Sequence, residues 1–161
     1  MPDACSYGTG THMDSKLDLL HILAFVFLIG SIVGVVSVFL PWIDAGSVSC
    51  SGWDLFSDRG GMEEIGMDNI GIFVPLIVLI FSLAGLGSAF CAYRGSAGWA
   101  QAIASNAGLL MIFAFLLFFR VVPDTVDVSF GVHLAIAASI ALFGGSILIR
   151  VDDFIARRRS R

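Results

Sequence analysis

Four apolar blocks, each at least 20 residues long and free of Asp, Glu, Lys and Arg, limit what this chain can become. They occupy residues 19–40, 70–92, 99–119 and 130–149. At about 1.5 Å per residue, a 21-residue helix over 99–119 reaches about 31 Å, the thickness of a bilayer hydrocarbon core. A membrane β-barrel needs alternating segments of about 10 residues, and these runs do not alternate. Backbone amides in lipid must be satisfied within their own segment, so the blocks predict four helices. Charged residues make up 14% of the chain and mean hydropathy is +0.91, against about 25% charged in soluble domains. The expected fold class is therefore an all-α integral membrane protein, a four-transmembrane-helix antiparallel bundle over residues 14–156.

Residues 1–13 stand apart. "MPDACSYGTGTH" precedes Met13 without apolar periodicity and reads as disordered, with His12-Met13 a tag junction or Met13 a start. The first block is longer than a signal-peptide core, and Pro41-Trp42-Ile43-Asp44 does not resemble a cleavage site.

Basic residues near helix ends set orientation. Lys16, Arg94, Arg150, Arg157, Arg158, Arg159 and Arg161 fall on one side, and Arg59 and Arg120 on the other, seven against two. Both termini are therefore expected in the cytoplasm of a cell-membrane protein. The outer loops hold Asp44, Asp54, Asp58, Glu63, Glu64, Asp68, Asp124 and Asp127; eight acids against two arginines leave −6. The net charge of −4 offers nothing to nucleic acid. Pro41 is expected to end the first helix, Pro123 follows the third, and Pro75 falls in the first turns of the second. Trp42 and Trp99 suit interfacial positions. The short link 93–98 demands a tight helical hairpin, whereas residues 41–69 form a long outer loop.

Small residues recur at helical spacing: Gly30 and Gly34, Gly85 and Ala89, Ala100, Ala104 and Gly108, Ala137, Ala141 and Gly145. Close backbone approach holds helices together in lipid. Packing within one bundle is the first reading, with a homo-oligomer seam as its alternative.

The chemistry-bearing residues are sparse. Cys50 is external while Cys5 and Cys91 lie toward the other side, so no intrachain disulfide is expected; Cys50 is either buried or paired between chains. Asp54, Asp58, Glu63, Glu64 and Asp68 surround Gly60-Gly61 and are oxygen-ligand candidates for Ca²⁺ or Mg²⁺, without EF-hand spacing; the alternative is a solvated acidic loop. His21 and His133 lie near opposite faces and cannot share a metal. Asn106, the deepest strongly polar side chain, predicts an interhelical hydrogen bond. The tail at 157–161, with Arg157 and Arg161 at its ends, suits anionic lipid. No nucleophile–base pair, P-loop, HExxH or Gly-rich phosphate motif is present, and no catalytic residue or cofactor is read.

The segment "LPWIDAGSVSCSGWDLF" and the last block, "GVHLAIAASIALFGG", resemble small prokaryotic four-helix membrane proteins with an LPW…SG-x-L loop and a G-x-x-L-A-I…A-L-F-G-G helix. More distantly the layout resembles the claudin-like tetraspans, whose first loop carries W…GLW…C…C. Trp42 matches the first tryptophan and Gly52-Trp53 part of the second element. Cys50 stands alone, upstream of Trp53, so barrier or pore activity is not carried over. The resemblance implies an outer loop folded back on the bundle, with a small β-hairpin around residues 43–50.

The expected function is non-enzymatic: a structural, accessory or assembly role in which the outer loop, through Trp42, Cys50, Trp53 and Phe56, meets a membrane-protein partner. The alternative is a channel or transporter subunit with a polar path through Asn106, Ser105, Ser139 and Ser31. A lipid-handling enzyme is a third reading, resting on no motif. Trp53 and Phe56 are expected to cap the outer end of the bundle, with Asp54 and Asp58 facing water.

Overall fold

The structure, a computed structural model, describes residues 10–46, 48–57, 69–122 and 127–159. Five helices and three strands appear among them. Helix α1 (Gly10–Ser37) is followed by β1 (Pro41–Ala45), β2 (Val48–Ser51) and the short α2 (Gly52–Ser57). Then come α3 (Asn69–Tyr93), α4 (Ala97–Val121), β3 (Asp127–Val128) and α5 (Phe130–Arg159). Helices α1, α3, α4 and α5 are long and apolar enough to cross a membrane.

These four form an antiparallel bundle. α1 packs against α3 and α5, and α4 packs against the same two from the opposite corner. The start of α1 and the end of α5 lie at one end, beside the turn Arg94–Ser96 that joins α3 to α4; this is the turn end. Gly95 reverses the chain there at φ +76°, a left-handed conformation that costs glycine nothing. The other end carries the strands and α2; this is the sheet end. β1 pairs antiparallel with β2, Ile43 opposite Cys50 and Ala45 opposite Val48, and antiparallel with β3, Ile43 opposite Val128. Gly46, at φ +64°, sits in the hairpin turn.

Several boundaries differ from the sequence expectation. α1 starts at Gly10, inside the segment set apart, and leaves the helix at Ser37 although Val38, Phe39 and Leu40 continue the apolar run. Pro41 explains the early end, because it has no N–H for the Ser37 carbonyl one turn back. α5 runs to Arg159, ten residues past its apolar block. A helix persists beyond its apolar run when polar residues keep helical spacing, and here Arg158 reaches back four positions to lie 4.6 Å over the Phe154 ring. The third strand, β3, was not anticipated.

The bundle is apolar on both sides, and its small and hydroxylated residues lie inside beside Phe27, Met111, Phe118 and Leu142. Less than half of each span is buried in the bundle. What faces outward is large and apolar: Phe25, Ile29, Leu83, Phe90, Leu109, Phe113, Leu116, Ile140 and Leu148 are all exposed. What faces inward includes Ala100, Ala104, Ala107, Ala135 and Ala138 and six serines, Ser31, Ser37, Ser82, Ser88, Ser139 and Ser146. Most of these serines return their hydroxyls to a carbonyl one turn back, as Ser31 Oγ does to Phe27 O at 2.6 Å and Ser139 Oγ to Ile136 O at 2.7 Å. A hydroxyl satisfied in this way is buried at little cost.

Glycine makes the close contacts. Ser31 and Gly34 of α1 face Ser82 and Gly85 of α3 in antiparallel register. A Cβ at Gly34 would strike the Ser82 hydroxyl, and one at Gly85 would strike that of Ser31. Gly30 lies against Ala141, Gly145 against the Phe27 ring, and Gly108 against Phe143, where a Cβ would come within 2.7 Å of the backbone nitrogen. Ala89 and Ala104 are buried as well. Most of these small residues thus face neighbouring helices of the same chain, whereas Ala137 is exposed.

Candidate functional site: the sheet end of the bundle

Construction of the sheet end starts at the Pro41-Trp42 step. Since Pro41 cannot donate to the Ser37 carbonyl, that oxygen keeps a long bond from Leu40 N at 3.2 Å and room for a second partner. Trp42 supplies it: its indole Nε1–H donates to Ser37 O at 2.7 Å. The ring is fully buried. Gly52 and Gly131 flank it so closely that a Cβ at Gly52 would lie 2.9 Å from the indole and one at Gly131 2.6 Å from Cδ1. Phe118 meets it edge-on with centroids 5.5 Å apart, and Phe115 lies at 6.0 Å. Trp42 therefore plugs the sheet end, touching α2, α4 and α5 while satisfying the last turn of α1. The irregular register between Pro41 and Ile43 lets β1 carry this ring inward. The Trp42 carbonyl accepts from Ser129 N at 2.8 Å, tying the plug to the start of α5.

Helix α2 is fixed from both sides. Its first amides serve the residues between α1 and β1: Trp53 N donates to Val38 O at 2.8 Å and Gly52 N to Leu40 O at 3.3 Å. Ser51 and Asp54 form a reciprocal cap, in which Asp54 N donates to Ser51 Oγ at 3.1 Å while Asp54 Oδ2 accepts from Ser51 N at 3.0 Å and Ser51 Oγ at 2.7 Å. The bonds from Ser51 hold the Asp54 carboxyl below its ordinary pKa. Asp44 on β1 is lowered likewise, by hydrogen bonds from Ser49 and then Ser129.

The capping expectation for Trp53 and Phe56 is corrected here. Leu55 and Gly52, three positions apart, form the buried face of α2. Helical geometry then turns Trp53 outward, where it is 43% exposed, and leaves Phe56 half-buried. Trp53 stacks on exposed Phe39 at 5.9 Å and leans on Phe56 at 6.0 Å. The result is an aromatic rim of Phe39, Trp53 and Phe56 around a plug made by Trp42. Asp54 is exposed, as expected.

The remaining candidates fall as follows. Cys50 is buried opposite Ile43 and is not part of the presented surface. Asp54 belongs to the helix cap; Asp58, Glu63, Glu64 and Asp68 lie outside the described residues, as do Cys5, Asp124 and Arg161. Among the described residues no group of three or more His, Cys, Asp or Glu could hold a metal ion. Asn106 does not bridge helices: it is exposed, and its Nδ2 donates to Ala102 O at 2.8 Å within α4. The described hydroxyl that does bridge helices is Ser88, whose Oγ donates from α3 to Ala100 O of α4 at 2.8 Å. Depth along a span did not distinguish Asn106 from Ser88; facing did, and the small residues around Ser88 were the available signal. The repeated S-x-x-G of Ser31/Gly34 and Ser82/Gly85 was legible too and was missed. His21 pairs with the Tyr93 ring at 5.7 Å, and His133 Nδ1 lies 3.0 Å from Ser129 O, at opposite ends of the bundle.

Comparison of the chain with protein-family models, curated proteins and solved structures finds no match.

Proposed function

We propose that this chain is an integral membrane protein of the cell membrane, both termini cytoplasmic, that acts without catalysis as a structural, accessory or assembly component through its sheet end. The observation that carries the membrane reading is the large apolar outer surface of the bundle. In water, a bundle with Phe25, Ile29, Leu109, Phe113 and Leu116 outward and six serines inward would expose far more contiguous apolar area than soluble monomers do. In lipid the same arrangement has no such cost, and close contact at glycine and serine supplies the cohesion. The orientation rests on charge. Arg94, Arg150, Arg157 and Arg158 gather at the turn end, while Arg120 is the basic residue described at the sheet end.

The partner reading rests on the rim. Phe39, Trp53 and Phe56 sit on backbone braced by the sheet, the Trp42 plug and the Ser51–Asp54 cap, with the exposed Asp54 carboxylate next to Trp53 in α2. Exposed aromatics on a preorganised surface are the usual anchors of protein recognition. The claudin-like layout, an outer loop folded back over four helices, belongs to this proposal as architecture. The channel reading has less support: of its path residues, Ser31 and Ser139 bond their own helices and Asn106 faces outward, while Phe27, Met111 and Leu142 fill the interior.

Mild-detergent purification from native membranes tests the partner reading. The expected result is a stoichiometric membrane protein that co-purifies with the wild type and is lost from a folded Trp53→Ala/Phe39→Ala variant. A monomer without companions across several detergents would contradict it.

A further inference from the structure

We propose that the groove between α1 and α3 at the turn end binds one acyl chain of an anionic phospholipid, with the phosphate held at Arg94. The inference rests on the membrane reading above and adds a specific ligand to it.

The groove exists because small residues meet where large ones flank them. Ala24 of α1 and Ala89 of α3 form its floor, each 7% exposed. Phe25, Leu28, Leu86 and Phe90 form its walls, and Tyr93 closes the end nearest the turn. The cavity measures about 360 Å³, within the size range of small-ligand clefts. From Leu86 to Tyr93 it follows two turns of helix, about 11 Å. Its lining is apolar but for the Tyr93 hydroxyl and its open side faces away from the bundle, so water is a poor occupant and a hydrocarbon chain a good one.

The mouth supplies the charge. Arg94 follows the last residue of α3, and its guanidinium carbon lies 4.5 Å over the Phe90 ring, so the cation rests on the wall of the groove itself. The residue is exposed, and a guanidinium presents a planar fork of N–H donors suited to phosphate. Tyr93, exposed and beside the His21 ring at 5.7 Å, brings a phenol to the same mouth. An apolar slot that ends in a cation at the membrane surface matches a molecule with an acyl chain and an anionic headgroup. A second helix would match the slot but would leave the guanidinium without a counter-charge, and a free phosphate would leave the slot empty.

The test reconstitutes the full chain in nanodiscs of equal phosphatidylglycerol and phosphatidylcholine, extracts it in mild detergent and identifies retained lipid by native mass spectrometry. The expected result is one retained phospholipid, phosphatidylglycerol favoured about fivefold, the preference one basic residue near a membrane surface supplies. Arg94→Gln should retain lipid without that preference, Arg94→Lys should restore most of it, and Ala89→Phe should retain neither lipid. An Arg157→Gln/Arg158→Gln variant should keep the preference. If Arg94→Gln keeps it, or only the tail variant loses it, the site is wrong. Alkaline extraction of cell membranes carrying the same variants separates the two claims. A chain washed from the bilayer overturns the membrane reading together with this site, whereas an embedded chain indifferent to Arg94 overturns this site alone.

Discussion

The two ends of the bundle solve the same problem in different ways. At the turn end, three residues, Arg94–Ser96, join α3 to α4, and one glycine at φ +76° makes the reversal. At the sheet end, the carbonyls of Ser37, Val38 and Leu40, where α1 ends, are satisfied by groups from separate segments: the Trp42 indole, the amides of α2, and Leu40 N, which donates to Ser37 O at 3.2 Å. The turn end is local and is set by a few consecutive residues. The sheet end is cooperative, because the plug, the hairpin, β3 and α2 each complete another's hydrogen bonds. On the proposed partner reading, such cross-bracing favours binding, since rigid side chains lose less entropy on binding.

This contrast is open to direct attack. The largest effect is expected for Trp42→Ala, which empties the plug and leaves the Ser37 carbonyl without its indole donor. Loss of a buried large aromatic costs about 3–5 kcal/mol. Thermal unfolding in detergent should show it, together with loss of amide protection in β1, β2 and α2 but not in the turn 94–96. Uniform loosening of both ends would mean that the sheet end is not a separate cooperative unit. Gly95→Ala probes the turn end, where a Cβ in the left-handed region costs about 1–2 kcal/mol. Its effect on exchange should stay confined to the last turn of α3 and the first of α4.

Ser51→Ala removes the reciprocal cap and should cost about 1 kcal/mol. Its pH dependence has a definite sign. The folded-state pKa of Asp54 is depressed by its bonds to Ser51, so that contribution is present above the ordinary carboxylate pKa of about 3.9 and lost as pH falls through the depressed value. Wild type and Ser51→Ala should therefore differ at neutral pH and converge in acid; a gap that widens on acidification would contradict the cap. Trp53→Ala should be nearly silent in stability, within about 0.5 kcal/mol, because the residue faces outward on α2. A loss as large as that of Trp42→Ala would restore Trp53 as the cap.

These two tryptophans also show how far the sequence could be read. The four spans were legible because charge-free runs of that length have few other uses. The turn end was legible because a short link between two spans leaves little choice. The sheet end was legible only in outline. Both Trp42 and Trp53 follow an apolar block in a glycine-dotted loop, and composition ranks them equally. What separates them is the missing N–H of Pro41 and the two glycines, Gly52 and Gly131, that make room for one indole. Gly131 lies 89 positions from Trp42, so no local pattern connects them. Asn106 was misjudged for a related reason: its depth along the span was evident, but the side of α4 it occupies depends on which faces α3 and α5 cover.

The central claim is that the bundle turns its large apolar residues toward lipid, and Leu109, exposed at the middle of α4, tests it most directly. A nitroxide at Leu109→Cys in nanodiscs, with Ser49→Cys on the exposed side of β2 as reference, reports collision with oxygen, which enriches in hydrocarbon, and with a polar nickel chelate, which stays in water. The account predicts that Leu109 collides readily with oxygen and scarcely with the chelate, while Ser49 shows the reverse. Free access of the chelate to Leu109 would contradict it.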